Sequence, residues 1–155
     1  MIRVVESGSI APDFSLDGSD GKKHSLKEFA GRYLVLYFYP RDDTPGCTIE
    51  ARGFNSRLAE LRGMGAEVVG VSSDSYGSHC KFSSKYGLGF LLLSDPSHKV
   101  IREYGAYGSR GIFGMGTLRK TYIIDKKGKV IKAYPKVSPA GHEDEIIGFL
   151  KDQLG

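Results

Sequence analysis

An uninterrupted apolar run, Tyr33–Tyr39, constrains the fold of this chain more than any other stretch. Its length, its aromatic and β-branched residues and its lack of polar alternation predict a central strand that is buried on both faces. Pro40 ends the strand, because proline cannot donate to a hydrogen-bond ladder. A polar turn follows, and Cys47 stands directly after it.

After this turn the apolar residues adopt a helical period. Thr44 is a suitable N-cap for the helix, and Pro45 suits its first position. The residues that share one face, spaced four, three, four and three apart, are Cys47, Ala51, Phe54, Leu58 and Leu61. This spacing predicts one helix with an apolar face toward the sheet, and Gly63 and Gly65 supply its stop.

The predicted helix places Cys47 in its first turn. The N–H groups there lack intrahelical partners and the helix dipole is positive, so both favour the thiolate, which is the reactive form of cysteine. A lone cysteine is more often a small buried hydrophobe. A strand-to-helix turn rich in proline and glycine nevertheless favours chemistry over inert packing.

The rest of the chain alternates strands and helices. Buried strands are expected at 66–72 and 90–93, with a helix that carries Cys80 between them. A short helix is expected near 97–104. A strand pair at 121–125 and 130–134 and a closing helix after 138 complete the chain. Residues 1–10 are expected to be a loose lead-in to an N-terminal hairpin (11–16 and 22–26), and 105–116 a glycine-rich loop. This order predicts a three-layer α/β/α sandwich, a single domain over residues 1–155, with right-handed crossovers.

Composition excludes several classes of function. The net charge of +4 is modest and no nucleic-acid reading motif accompanies it, so nucleic acid is not expected as a partner. No apolar run approaches the ~20 residues of a membrane span, and the N-terminus lacks an apolar signal core, so we expect a cytoplasmic protein. The two cysteines lie 33 residues apart and the four histidines are scattered, so no metal site is expected.

Pro40, Thr44 and Cys47 form the pattern P-x-x-x-T-x-x-C, with Thr-Pro-Gly-Cys-Thr inside it. The motif is highly specific, and together with most of the chain it closely resembles the peroxiredoxins, nearest to the bacterioferritin-comigratory-protein (BCP) or PrxQ type. The resemblance implies a thioredoxin-like fold with a mixed central sheet and an N-terminal β-hairpin. It also implies a thiol-dependent peroxidase without a bound cofactor, and a monomer or at most a weak dimer. The implied substrates are hydrogen peroxide and alkyl hydroperoxides, and the implied reductant is thioredoxin or a similar dithiol protein.

The same resemblance assigns roles around the cysteine. Cys47 attacks a peroxide oxygen and becomes a sulfenic acid. Thr44 hydrogen-bonds the thiolate and the peroxide, Pro40 shields the sulfur, Arg119 holds the thiolate and polarises the peroxide, and Glu50 orients Arg119. Without the template, Thr44 is only a cap and Pro40 only a strand end, while Arg119 and Glu50 are ordinary solvated side chains.

The second cysteine departs from the family pattern. Many PrxQ-type proteins carry it five positions after the first, where this chain has Arg52; another branch carries it at the position of Ser83. Cys80 lies one helical turn before Ser83 on the same face. We expect Cys47 sulfenate to condense with Cys80, after local unfolding; the alternative is a one-cysteine enzyme that an outside thiol resolves.

Two other functions use the same cysteine. A thiol–disulfide oxidoreductase normally needs a C-x-x-C pair, whereas the residues three before and three after Cys47 are Thr44 and Glu50. A non-catalytic redox sensor or chaperone-like module is the other alternative, and slow peroxide turnover would distinguish it.

Overall fold

The computed structural model describes residues 5–155. Its strands within that range are β1 (Ser15–Gly18), β2 (Lys23–Ser25), β3 (Tyr33–Phe38), β4 (Ala66–Ser72), β5 (Leu91–Ser94), β6 (Tyr107–Ser109), β7 (Met115–Thr117), β8 (Lys120–Ile124) and β9 (Val130–Tyr134). Its α-helices are α1 (Pro45–Ser56), α2 (Leu58–Gly63), α3 (Tyr76–Tyr86), α4 (Lys99–Glu103) and α5 (His142–Leu154), with short 3-10 segments at Leu26–Phe29 and Gly111–Phe113.

The main sheet is mixed and runs in the spatial order β2-β1-β5-β4-β3-β8-β9. Its interior strands β3, β4 and β5 are parallel, and β8 pairs antiparallel with β3. The β1–β2 hairpin extends the sheet through an antiparallel β1–β5 pair. The predicted mixed sheet with an N-terminal hairpin is therefore confirmed.

Strand β3 is buried on both faces, because alternate side chains of a strand point to opposite sides of the sheet. Val35 and Tyr37 pack among side chains of α1, α2, α3 and α5. Leu34 and Leu36 pack on the other face against α4 and the segment that precedes β1. These two apolar cores on either side of the sheet confirm the three layers that the sequence predicts.

The helix after Cys47 is broken, which corrects the prediction of one continuous helix. Arg57 has φ −113° and ψ 12°, outside helical values, so α1 ends at Ser56 and α2 begins at Leu58. Just before the break, the Asn55 amide donates to the Gly87 carbonyl at 3.2 Å and its oxygen accepts the Gly89 N–H at 2.8 Å. This tie to the end of α3 favours the bend, because an asparagine side chain that bonds distant backbone competes with helix continuation.

Two stretches are more ordered than the sequence predicts. The segment from Tyr107 to Thr117 is a small antiparallel hairpin, β6–β7, instead of an irregular loop. The lead-in is not loose over residues 5–10, since Gly8 donates to the Val130 carbonyl at 2.7 Å and Ile10 bridges Lys129; residues 1–4 lie outside the described chain. The reason is that backbone groups of this lead-in find partners on the β8–β9 hairpin, far away in sequence.

None of the helices within residues 5–155 combines the length and the apolar character that crossing a bilayer requires.

Candidate active site

Cys47 lies in the first turn of α1, at the end of the sheet where β3 finishes. Thr44 is the residue before the helix and Pro45 opens it. The Cys47 side chain is 1% exposed and belongs to the core between the sheet and α1. Both the free helix N–H groups and the dipole of α1 are therefore close to a sulfur that bulk water hardly reaches.

Arg119 reaches this sulfur from the start of β8. Its Nη2 lies 3.6 Å from the Cys47 Sγ, and its Nη1 donates to Glu50 Oε1 at 2.8 Å. Gly46 makes room for the guanidinium, since a Cβ at that position would lie 3.0 Å from Nη2 and 3.3 Å from Pro139. One arginine thus contacts both the sulfur and a buried carboxylate, with 18% of its side chain exposed.

Burial and the neighbouring charges together shift two pKa values in this group. Burial raises the pKa of Glu50 to about 7, although the nearby Arg119 guanidinium opposes that shift. Burial acts to lower the pKa of Arg119, but the negative charges of Cys47 and Glu50 outweigh it, and the pKa lies above its usual value. The guanidinium therefore remains protonated and supplies a fixed positive charge beside the sulfur.

Tyr37 is a neighbour that the sequence did not single out. It is 1% exposed, and burial, followed by the charges of Glu50 and Cys47, raises its pKa well above the usual value. Among the described residues, neither its hydroxyl nor Oε2 of Glu50 has a hydrogen-bond partner. The only sequence signal for it is the alternation within Tyr33–Tyr39, which places residues 37 and 39 on one face.

The other residues expected at the site lie around the turn. Pro40 is half-buried and follows β3. The Thr44 hydroxyl donates to the Arg41 carbonyl at 2.9 Å, and it makes no cap bond. No hydrogen bond joins Thr44 to the Cys47 sulfur within the described chain, so its contact with thiolate and peroxide stays a prediction.

Cys80 occupies a different part of the molecule. It is half-buried in α3, and its Sγ lies 3.5 Å from the carbonyl oxygen of Ser19 in the β1–β2 turn. In the sheet order, β5, β4 and β3 separate β1 from β8, the strand that Arg119 precedes. Both cysteines are free thiols in this structure.

A buried polar cluster joins the turn before Cys47 to α3, and sequence reasoning missed it. Asp42 and His79 are both buried, and Nδ1 of His79 lies 2.7 Å from Oδ2 of Asp42. Asp42, Asp74 and His79 offer ligand atoms within 4.8 Å of one another, a spacing that would suit a cation. In this structure the same atoms bond instead to protein groups.

Comparisons with known proteins find similar sequences over most of the chain. The sequence profile of the AhpC/TSA family matches residues 7–133. Peroxiredoxin Bcp of Bacillus subtilis is 42% identical over 152 residues, which cover 96% of this chain and 97% of that protein. The chloroplastic peroxiredoxin Q of Gentiana triflora is 43% identical over 148 residues, covering 95% of this chain and 67% of that protein.

Solved structures with the same fold cover nearly the whole chain. The PrxQ of Xylella fastidiosa superposes with a TM-score of 0.93 at 29% identity, over 97% of this chain and 98% of that one. The bacterioferritin comigratory protein of Xanthomonas campestris, which has alkyl peroxide reduction activity, superposes with a TM-score of 0.89 at 37% identity. The match covers 97% of this chain and 98% of that chain.

Proposed function

Because the chain belongs to the AhpC/TSA family, with Bcp and peroxiredoxin Q among its relatives, we propose that it is a thiol-dependent peroxidase for hydrogen peroxide and alkyl hydroperoxides. Both the resemblance to BCP/PrxQ peroxiredoxins and the thioredoxin-like fold are confirmed by these matches. The observation that carries the proposal is the 3.6 Å contact between the Arg119 guanidinium and the Cys47 sulfur in the first turn of a helix.

The first half-reaction takes place at the Cys47 sulfur. The thiolate attacks one peroxide oxygen, an S–O bond forms and the O–O bond breaks. The second oxygen leaves with the electron pair and takes up a proton, giving water or an alcohol, while Cys47 becomes a sulfenic acid. Positive charge beside the reacting atoms is needed twice, first on the thiolate and then on the leaving oxygen.

Arg119 supplies that charge, and Glu50 keeps it in place. With Nη1 on the buried Glu50 carboxylate, Nη2 is directed at the sulfur. The Arg119 side chain is 18% exposed, and in this proposal peroxide enters on its side of the sulfur. Thr44 completes the site by hydrogen-bonding the peroxide, and Pro40 shields the sulfur from water.

The second half-reaction regenerates the thiol. Cys80 condenses with the Cys47 sulfenic acid, the S–S bond forms, water leaves, and a thioredoxin-like dithiol reduces the disulfide. We place this cycle in the cytoplasm, where thioredoxin-type systems keep thiols reduced. In this proposal residues 1–155 act as one domain, and as a monomer or weak dimer.

Peroxide consumption in a coupled assay tests the proposed function. Wild-type protein with thioredoxin, thioredoxin reductase and NADPH should consume hydrogen peroxide and tert-butyl hydroperoxide catalytically. Cys47→Ser should show only the background rate, and Cys80→Ser should undergo the single oxidation but turn over more slowly. Insulin reduction by the wild type without peroxide consumption would contradict the proposal and indicate a thiol–disulfide oxidoreductase.

A further inference from the structure

The carboxylate of Asp42 is the centre of the buried cluster. Its Oδ1 accepts a hydrogen bond from the Tyr39 hydroxyl at 2.6 Å. Its Oδ2 accepts from the Ser78 hydroxyl at 2.8 Å and contacts Nδ1 of His79 at 2.7 Å. A carboxylate with so many partners, and a side chain only 3% exposed, is held in one position.

His79 contacts that carboxylate through one ring nitrogen, and its other ring nitrogen bonds a different part of the molecule. The His79 side chain is 0% exposed, and its Nε2 lies 3.0 Å from the Leu93 carbonyl oxygen in β5. Because a carbonyl only accepts, Nε2 carries a hydrogen. The 2.7 Å contact between Nδ1 and the Asp42 carboxylate is then the second bond of this ring, and through it α3 and β5 are tied to the turn.

The backbone around Asp42 is anchored to the same part of the molecule. The Asp42 N–H donates to Asp74 Oδ2 at 2.8 Å. Asp43 adopts φ +57°, unusual for a residue with a side chain, and its carboxylate accepts from Lys85 Nζ and the Tyr86 hydroxyl, each at 2.8 Å. Two consecutive aspartates thus bind α3, one through buried partners and one through exposed partners.

This anchored turn leads directly into the first turn of α1. Cys47 follows Asp42 by five residues, and the Thr44 hydroxyl, which donates to the Arg41 carbonyl, closes the turn around Asp42 and Asp43. A displacement of the turn therefore moves Cys47 relative to the backbone of Arg119, which belongs to a different element and directly precedes β8. Reactions that depend on alignment lose large factors in rate when a reacting group moves by about 1 Å.

We propose that Asp42 and His79 are a positioning pair, which anchors the Cys47 turn on α3 and thereby keeps the sulfur in register with Arg119 for attack on peroxide. The inference rests on the proposed peroxidase function, and neither residue touches the reacting atoms. The pair also joins the Cys47 turn to the helix that carries Cys80.

The test uses single-turnover oxidation in a Cys80→Ser background, so that only Cys47 reacts. Asp42→Ala should lower the second-order rate constant with hydrogen peroxide by about tenfold or more, while the amount of titratable Cys47 stays complete. Asp42→Asn should recover most of the rate, because its amide can donate to Nδ1 of a neutral His79 and its oxygen can accept from Tyr39. The matched control is Lys85→Gln, which removes one of the two exposed bonds between α3 and Asp43, leaves the buried bonds of Asp42 intact, and should react like the parent.

A second readout separates positioning from simple loss of stability. Alkylation of the 1% exposed Cys47 by iodoacetamide requires local opening, so Asp42→Ala should speed it while slowing the reaction with peroxide. A general loss of stability would instead reduce the reactive fraction and leave the rate constant of the folded fraction unchanged.

Three results would overturn either the positioning role or the proposed function. Rate constants for Asp42→Ala equal to those of the parent, or a decrease explained by the unfolded fraction alone, would overturn the positioning role. If Asp42→Ala does not fold, Tyr39→Phe removes only the hydroxyl on Oδ1 and should still slow peroxide and speed alkylation, and no change in either would overturn the role. A parent protein that does not react with peroxide would refute the proposed function instead.

Discussion

At the scale of single residues, the site depends on one buried carboxylate beside one guanidinium. Glu50 is 1% exposed and bonds Arg119 through Oε1, while its Oε2 has no partner among the described residues. Burial of a carboxyl group favours its neutral form and the guanidinium favours the ionised form, and here burial wins, with a pKa of about 7. Keeping Glu50 ionised beside Arg119 therefore costs folding free energy, and the size of that cost depends on pH.

We predict that Glu50→Gln alters how the free energy of unfolding depends on pH. Between about pH 4.5 and 7 the unfolded state has lost the Glu50 proton and the folded state retains it, so wild-type stability falls as pH rises through this window. Relative to Glu50→Gln, the wild type should lose about 2–3 kcal/mol between about pH 5 and pH 8. Urea unfolding of both proteins at these two pH values measures the difference.

The comparison between the two proteins is essential because His142 titrates in the same window with the opposite sign. Burial lowers the pKa of His142, and Arg119 lowers it further, so its contribution to stability is lost as pH falls. His142 is present in both proteins and cancels in the difference. Parallel pH profiles for wild type and Glu50→Gln would contradict the shifted pKa of Glu50.

At the scale of elements, β3 and β4 come together closely behind the site. Tyr37 pairs with Gly70 across the parallel strands. A Cβ at Gly70 would lie 2.8 Å from Cζ and 2.9 Å from the hydroxyl of Tyr37, and 3.0 Å from Leu92. The absence of a side chain at residue 70 therefore allows the Tyr37 ring to lie between the sheet and α1.

We predict that Gly70→Ala destabilises the fold by about 1–3 kcal/mol, because Tyr37 and Leu92 are buried and have little room to move. Gly53→Ala in α1 is the matched control. Its Cβ would meet only the end of the flexible Glu143 side chain, and alanine favours a helix, so its stability should stay equal or rise by up to about 1 kcal/mol. Thermal or urea unfolding measures both, and equal effects would contradict this account of the contact.

Elements were predictable where their signal is local. The apolar run of β3, the period of α1 and the stops at Gly63 and Gly65 depend on neighbouring residues, and the sequence alone predicted them. The break at Arg57 and the ordering of residues 5–10 depend on partners such as Gly87, Gly89 and Val130, which are distant in the chain. Patterns of neighbouring residues carry no information about such contacts.

At the scale of the whole molecule, the two cysteines lie over different parts of one sheet. Cys80 contacts the β1–β2 turn, while Cys47 contacts Arg119 next to β8. A disulfide needs Cα atoms within about 7 Å, so we expect α3 or the start of α1 to unfold locally before one forms.

We predict that one equivalent of hydrogen peroxide converts the protein to an intramolecular Cys47–Cys80 disulfide. Intact-mass measurement should show the loss of two hydrogen atoms in the wild type. Cys80→Ser should instead retain one added oxygen, because Cys47 remains a sulfenic acid. Retention of that oxygen in the wild type would exclude Cys80 as the resolving residue and support a one-cysteine enzyme.

Some residues of the candidate site were predictable from the sequence, and others were not. Cys47 came from its position between strand and helix, and Arg119 and Glu50 from the resemblance, since 69 residues separate these two in sequence. Tyr37, Asp42 and His79 were not singled out. Their importance comes from burial and from contacts between the Cys47 turn and α3, and Asp42 reads in the sequence as one more polar residue of a turn.

The central claim is that the Cys47 sulfur, held beside Arg119, is the atom that meets the oxidant. The most direct measurement is to react the reduced protein with one equivalent of hydrogen peroxide in the presence of a large excess of dimedone, which competes with Cys80 for the sulfenic acid, and to locate the adduct by peptide mass. The account predicts rapid labelling on Cys47 and none on Cys80, with labelling much slower when Arg119 is changed to Gln. Labelling on Cys80, or a rate on Cys47 no faster than that of free cysteine, would contradict it.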